Sequence, residues 1–170
     1  MIRRGVGRFF AVATLLLAAS FGVRADFNDG VVAHAMGDYE RALQTLLPLA
    51  RTSDHAYAQY YLGVMYANGQ GVQLDYAEAA KWYRAAAEKG IAAAQTKLGQ
   101  LYMEGQGVPR DMELAYAWFS VAASLGNGRA AQMLQQTRGQ MNAEELNAAD
   151  ELAAEYTGKY AVTAPDPAAE

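Results

Sequence analysis

Residues 58–90, AQYYLGVMYANGQGVQLDYAEAAKWYRAAAEKG, decide the fold, because their pattern returns 36 positions later in residues 94–126, AQTKLGQLYMEGQGVPRDMELAYAWFSVAASLG. The two copies share an Ala-Gln pair, a Gly-Gln-Gly-Val run and single Tyr, Asp and Trp residues at fixed spacing. So many identities in one register indicate an internal repeat. The positions assigned to the structure of the repeat are Leu62, Gly63, Tyr66, Gly69, Gly71, Asp75 and Trp82, with their counterparts Leu98, Gly99, Tyr102, Gly105, Gly107, Asp111 and Trp118.

Each copy of the repeat predicts two helices. Ala58, Leu62 and Tyr66 recur every four residues, which is typical of one buried stripe on a first helix. The Gly-Gln-Gly run ends that helix, because glycine tolerates the left-handed backbone found at helix ends. Asp75 is placed to cap a second helix, and Glu78 three residues later could complete a capping box. The inner face of the second helix is predicted to consist of Ala79, Trp82, Tyr83 and Ala86.

The flanking sequence resembles the repeat more weakly. Ala131-Gln132 predicts another first helix, one residue out of register, and residues 142–145 form a second capping pattern. The chain therefore predicts an all-α fold, a short α-solenoid of antiparallel helix pairs with about seven to eight helices. Its predicted parts are a signal peptide (1–25), a divergent N-terminal helix pair (26–57), two repeats (58–93 and 94–129), C-terminal capping helices (130–158) and a disordered tail (159–170).

The N terminus has the three-part pattern of a secretory signal peptide. A basic stretch with Arg3, Arg4 and Arg8 precedes an uncharged apolar run over residues 9–23, and cleavage is predicted after Ala25. The run is shorter than the ~20 residues that a spanning helix needs, although a retained membrane anchor is the alternative interpretation. The pattern predicts a cleaved product without stable membrane insertion, located in the periplasm or secreted.

Composition narrows the chemistry of that product. Cleavage would remove four of the 14 basic residues and none of the 18 acidic ones, which leaves a formal charge of −8. Such a chain is repelled by nucleic acid and anionic lipid, so no nucleic-acid partner is predicted. The absence of cysteine excludes disulfides and thiolate sites. The two histidines, His34 and His55, lack partners at ligand spacing, so neither a metal nor another cofactor is predicted.

Residues 58–90 and 94–126 closely resemble the Sel1-like repeat family, relatives of the tetratricopeptide repeats, with the pattern A-Q-x-x-L-G-x-x-Y-x-x-G-x-G-V-x-x-D-x-x-x-A-x-x-W-x-x-x-A-A-x-x-G. The resemblance implies a right-handed superhelix with a concave and a convex side. It also implies an adaptor that assembles or modulates other proteins, often in the cell envelope. Some relatives carry a cysteine pair in every repeat, which this chain lacks.

A candidate partner-binding surface lies on the first helices, opposite the buried stripe. At 100° per residue, the positions that point away from the stripe are Tyr57, Tyr60, Tyr61, Val64 and Asn68, followed in the second copy by Lys97, Gln100 and Glu104. Tyrosine suits a binding surface because it combines contact area with a hydrogen-bonding group. The alternative is that these tyrosines contact the preceding helix pair.

Other candidate sites have structural explanations. Trp82, Trp118, Tyr66 and Tyr102 could stack on a sugar or base, but their repetition at core spacing favours packing. The Gly-Gln-Gly runs are interpreted as turns, since a phosphate loop would need a lysine where Asp75 and Asp111 stand. An acidic face of the last helix is either a solvated surface or a patch for a basic partner; it consists of Glu144, Glu145, Asp150, Glu151 and Glu155.

The sequence therefore predicts an exported protein–protein interaction module that binds a partner protein or peptide through its concave face. The module is predicted to be a monomer. It predicts no enzyme, because no nucleophile–base motif or pair of catalytic carboxylates can be named. The alternative is a cell-envelope enzyme or enzyme modulator acting on peptidoglycan. Self-association through uncovered solenoid ends is a third possibility.

Overall fold

A computed structural model describes residues 27–166, and within that range all regular secondary structure is α-helical. The predicted signal peptide and the last four residues lie outside the described range. No helix within it combines the length and the apolarity that crossing a bilayer requires. The eight helices are α1 (Phe27–Ala35), α2 (Tyr39–Thr52), α3 (Ala56–Asn68), α4 (Tyr76–Ala87), α5 (Ala92–Glu104), α6 (Met112–Ser124), α7 (Gly128–Arg138) and α8 (Ala143–Tyr160).

The helices form a short α-solenoid. From α1 to α7 each helix contacts the next one in the chain, and short connections make neighbours antiparallel. The order changes at the C terminus, where α8 packs mainly against α6. The predicted fold class, with its seven to eight helices in antiparallel pairs, is confirmed.

Within each repeat the two helices approach each other at a glycine. A Cβ atom built on Gly63 of α3 would lie 2.5 Å from Cδ1 of Tyr83 on α4. One built on Gly99 of α5 would lie 2.7 Å from Cε1 of Phe119 on α6. Real Cβ contacts are not this short, so only glycine lets the large side chain lie directly on the backbone of the first helix.

The N-terminal pair uses the same packing. A Cβ on Gly30 of α1 would lie 2.7 Å from Leu46 of α2, and both residues are buried. Residues 26–57 were predicted as a divergent helix pair, and their sequence resembles the repeat only weakly. The structure shows that the steric rule is retained, with leucine in place of an aromatic ring.

The Gly-Gln-Gly turns join one unit to the next. The first glycine of each turn ends its helix in a left-handed conformation, with φ of 64° and 67°. The second glycine lies against the start of the preceding unit's second helix: Gly71 against Tyr39, and Gly107 against Tyr76. Between them, Gln70 donates to the Tyr39 hydroxyl at 3.1 Å. These contacts support the interpretation of the runs as structural turns.

A buried glutamine forms a second link between units. Gln59 donates to the Ala50 carbonyl at 3.3 Å, and Gln95 donates to the Ala87 carbonyl at 3.0 Å. Each bond connects a first helix to the last residues of the preceding second helix. The glutamine of the shared Ala-Gln pair therefore links successive units by donating to a carbonyl near the end of the preceding helix. The Ala87 carbonyl also accepts from the Gly90 amide at 3.1 Å.

The two repeat tryptophans have different surroundings. Trp118 is 3% exposed and packs against Tyr160 and Tyr156 of α8, with ring centroids at 5.1 and 5.2 Å. Trp82 is only half-buried and packs against the N-terminal core, and its buried indole nitrogen has no hydrogen-bond partner among residues 27–166. The difference arises because α8 covers α6, whereas no described helix covers α4 in the same way.

The capping box predicted for α8 is present, whereas the one predicted for α4 is incomplete. Asn142 and Glu145 form a complete capping box at the start of α8. Asp75 caps α4 by accepting from the Glu78 amide at 2.9 Å, but the Glu78 carboxylate pairs with Lys81 at 2.7 Å. The box predicted for Glu78 is therefore only half-formed, because a lysine one turn further along the helix competes for the carboxylate.

The register of α7 corrects the sequence interpretation. The N-caps of α3, α5 and α7 are His55, Ile91 and Asn127, so all three first helices begin 36 residues apart. The helix predicted from Ala131-Gln132, one residue out of register, is in fact in register and begins at Gly128. The positions equivalent to Ala94-Gln95 in this unit are Ala130-Ala131, so the Ala131-Gln132 pair does not mark the repeat register.

The C-terminal segment also departs from the sequence interpretation. Residues 159 and 160 belong to α8, and Val162 and Ala164 contact the solenoid, although disorder was predicted from residue 159. Gln95 donates to the Tyr160 carbonyl at 3.2 Å, the Val162 backbone lies on Gly90, and Ala164 packs against the central core. The tail contains two prolines and few large apolar residues, which predicts little burial. The absence of a side chain at Gly90 nevertheless leaves room for the backbone of Val162.

The glycine contact can be tested by adding one methyl group. We expect Gly63→Ala to lower the free energy of unfolding by about 1–3 kcal/mol, because the new Cβ overlaps the Tyr83 ring. Gly158→Ala is the matched control: Gly158 lies in α8 with nothing within 4 Å of its Cβ position. That change should stabilise the helix by about 0.5–1 kcal/mol. Urea unfolding monitored by circular dichroism measures both, and equal effects of the two changes would contradict the steric explanation.

Candidate binding groove

A groove of about 470 Å³ lies between the first helices of the two repeats, α3 and α5, with α4 and the turn after α5 completing its walls. It brings together six of the eight residues that the sequence predicted for partner binding. These are Tyr60, Val64, Asn68, Lys97, Gln100 and Glu104.

The spacing of these residues explains their convergence. Tyr60, Val64 and Asn68 stand four apart on α3, so they form one stripe along that helix. On α5, Lys97 and Glu104 are seven residues apart, which is two turns, and they also share a face. Neither stripe is needed for the glycine contacts, since those lie on the sides of α3 and α5 that meet α4 and α6.

Two predicted binding residues lie elsewhere. Tyr61 packs against α1, with ring centroids 6.0 Å from Phe27 and 5.4 Å from His34. Tyr57 contacts Phe27 as well, at 6.1 Å, and lines a separate depression beside the C-terminal segment. For these two tyrosines the alternative interpretation, contact with the preceding helix pair, describes the structure.

Tyrosine rings form the floor of the groove. Tyr60 and Tyr83 lie with ring centroids 6.0 Å apart, and Tyr83 is 2% exposed. Burial raises the pKa of the Tyr60 hydroxyl above its ordinary value, and burial raises that of Tyr83 as well. Both phenols therefore stay protonated at physiological pH, so Tyr60 can offer a neutral hydrogen-bonding group to a ligand.

The charged residues of the groove have no internal partners. The salt bridges formed among residues 27–166 are Lys81–Glu78 and Lys89–Asp54, and neither Lys97 nor Glu104 takes part in one. Lys97 is half-buried and Glu104 is exposed. One cation and one carboxylate are thus available at separate places in the same groove.

The surface that contains the groove continues onto α7. A shallower depression of about 530 Å³ lies between α5 and α7, lined by Gln100, Arg129, Gln132, Met133 and Gln136. Gln100 belongs to both hollows, and its amide nitrogen lies 3.4 Å from the Met133 sulfur. The sequence prediction did not extend the binding surface to these four residues of α7. With a strict 36-residue offset, Met133 is equivalent to Lys97 in the repeat, and Gln136 is equivalent to Gln100.

Most side chains that line the groove are aromatic, aliphatic or amide groups. Its lining contains no serine or histidine, and Glu104 is its one carboxylate. Hydrolysis of a glycosidic bond by the common route needs two carboxylic groups across the scissile bond. Within residues 27–166, no group of three His, Asp or Glu residues is placed to hold a metal ion.

The remaining candidates have structural contacts. His34 lies 3.0 Å from the Gln70 amide oxygen, and buried His55 caps α3 by accepting from the Ala58 amide at 3.2 Å. On the acidic face of α8, Asp150 accepts from the Tyr116 hydroxyl at 2.7 Å. Glu145 belongs to the capping box, and the other three acidic residues of that face are exposed.

The Sel1 repeat family matches residues 56–91 and 92–127. These units have the predicted length and begin two residues earlier than predicted, at the first residues of α3 and α5. Among proteins with curated descriptions, none matches the sequence significantly.

The solved structures that are similar to this chain include two proteins with the same type of repeat. One is c5321, described as a protective antigen of uropathogenic Escherichia coli with an SLR fold; it is 32% identical over 89% of this chain, with a TM-score of 0.77. The other is a Sel1 repeat protein from Oxalobacter formigenes, 29% identical over 75% of this chain, with a TM-score of 0.59. The chain spans 32% and 54% of their respective lengths.

Proteins built from this repeat generally mediate contacts between proteins, and the fold is typically not catalytic. The steric rule at Gly63 and Gly99, the two matched units and the similarity to solved relatives agree with one another. The chain contains two repeats of the Sel1 family, residues 56–91 and 92–127.

Proposed function

We propose that this chain is an exported interaction module that binds a segment of a partner protein in the groove between α3 and α5. The observation that carries the proposal is the convergence on a single groove of six residues that the sequence predicted for partner binding. None of the six is required for the glycine contacts or for the turns between units.

The chemistry of the groove suits a polypeptide ligand. Tyr60 supplies an aromatic surface with a hydroxyl group, Asn68 and Gln100 supply amides, and Lys97 and Glu104 supply opposite charges. Buried aromatic anchors surrounded by polar groups are characteristic of sites where proteins bind each other. The second hollow along α7 lengthens the surface, so a partner can contact three first helices in sequence.

Export is proposed from the sequence of residues 1–25. A basic start, an uncharged apolar run and Ala25 before the cleavage point together form a secretory leader. An excess of acidic residues in the remaining chain suits an extracytoplasmic protein that stays in solution. The partner would then be a periplasmic or secreted protein, and its contacts would be made by a single copy of this chain.

Blocking the groove should abolish partner binding. Asn68 is exposed at the end of α3 and lines the groove, so Asn68→Arg places a long cation across it without disturbing the core. We expect affinity capture from an envelope extract to lose its specific partner, or the affinity to fall at least about tenfold, which corresponds to about 1.4 kcal/mol. The melting temperature should stay within two or three degrees of that of the unchanged chain.

Asn147→Arg provides the matched control. It makes the same substitution at an exposed position of α8, a helix that does not line the groove. This variant should retain the partner. Capture that is unaffected by Asn68→Arg, or lost equally in both folded variants, would contradict the groove as the binding site.

Export is tested separately with the full-length gene product. Expression in a Gram-negative host followed by fractionation should yield a soluble extracytoplasmic protein. Mass spectrometry should show that it begins at Asp26. A product that keeps residues 1–25 and sediments with the membrane fraction would establish the retained anchor instead.

A further inference from the structure

The charges of the groove have a fixed spacing that a ligand must match. Lys97 and Glu104 lie on one face of α5, two turns apart, so their Cα atoms are separated by about 10.5 Å along the helix axis. Neither forms an ion pair within the part of the chain that the structure describes. A bound segment running along α5 therefore meets a cation and a carboxylate at about this distance.

The spacing discriminates between backbone conformations of the ligand. In an extended β-strand, side chains alternate between faces, so residues on one face are about 6.7 or 13 Å apart and those three positions apart point in opposite directions. In a polyproline II helix, every third residue returns to the same face after about 9.3 Å. Of these two extended geometries, only the second places two side chains on one face near the required distance. An α-helix also repeats its face at about 10.5 Å, but with its side chains it is about 10–12 Å wide, which is too wide for a groove of about 470 Å³ over this length.

The walls of the groove favour the same conformation. Tyr60 and Tyr76 line it together with Val64 and Leu101, which gives an aromatic and aliphatic channel. Polyproline II segments commonly dock in aromatic-lined grooves, because their preformed helix loses little conformational entropy on binding. A tyrosine hydroxyl can also donate to the backbone carbonyls that this conformation leaves free.

We propose that the groove binds a segment of a partner protein in the polyproline II conformation that carries one acidic and one basic residue three positions apart. The acidic side chain pairs with Lys97 and the basic one with Glu104. This proposal rests on the proposed function, since it specifies the ligand of the same groove. The segment can lie in either direction, because a polyproline II helix presents a similar face when reversed, and the charge spacing is what the groove selects.

Blocked synthetic peptides provide a direct test with the processed full chain. The probes share one proline-rich sequence and differ at two positions: Glu-Pro-Pro-Lys, Lys-Pro-Pro-Glu, Gln-Pro-Pro-Gln, and the shortened Glu-Pro-Lys. Fluorescence anisotropy measures each affinity. At least one of the first two should bind about three to ten times more tightly than the uncharged and the shortened peptides, and high salt should reduce the difference.

Charge-reversed variants should change which peptide binds most tightly. In Lys97→Glu both groove charges become acidic, so the preferred peptide should become Lys-Pro-Pro-Lys. In Glu104→Lys both become basic, and Glu-Pro-Pro-Glu should be preferred. Thermal melting confirms that the variants fold. An unchanged ranking of peptides in Lys97→Glu, or equal binding of the shortened peptide, would overturn the proposal.

Failure of this inference can be distinguished from failure of the proposed function. If peptides bind without any charge pattern and Asn68→Arg abolishes their binding, the groove is a binding site but the charge rule is wrong. If no peptide binds and a captured partner still depends on Asn68, the polyproline II ligand is rejected and the interaction module stands. If neither depends on Asn68, both proposals fail.

Discussion

The close approach of paired helices at glycine is the constraint on which the rest of the structure depends. At Gly63 and Gly99 a large aromatic ring lies on the backbone of the first helix, and no other residue leaves room for it. This contact fixes which side of each first helix faces its partner. Once that side is fixed, the opposite side must face the neighbouring unit or the inner surface. The glycines therefore determine which helix faces border a groove between successive first helices.

The ends of the solenoid show how the same repeat takes on different surroundings. Trp118 is enclosed by Tyr156 and Tyr160, because α8 folds back on α6 and closes the C-terminal end. Trp82 occupies the same repeat position without such a cover and stays half-buried. Helix α8 thus acts as the terminal cap that a repeat array needs to shield its last apolar surface.

The sequence predicted the features that repeat and missed those that depend on unlike neighbours. Helix pairs, turns and most of the groove follow from periodicity, since spacing fixes the face on which a residue lies. The packing of Tyr61 against α1 and the contact of Val162 with Gly90 depend on segments outside the repeat, so periodicity carries no signal for them. The residues of α7 that line the second depression could be predicted in part, because a strict 36-residue offset makes Met133 and Gln136 equivalent to Lys97 and Gln100.

Comparison of equivalent positions explains why the furrow between α3 and α5 is open. Tyr61 and Lys97 occupy the same place in successive units. Between α1 and α3, the Tyr61 ring packs on Phe27 and His34 and fills the space. Between α3 and α5, Lys97 supplies a slender, charged side chain in the corresponding place, and about 470 Å³ remains empty. The repeat pattern leaves this position free, and neither Tyr61 nor Lys97 takes part in the glycine contacts. Repeats that share one packing rule can therefore acquire different binding surfaces, with specificity set at the positions that packing does not constrain.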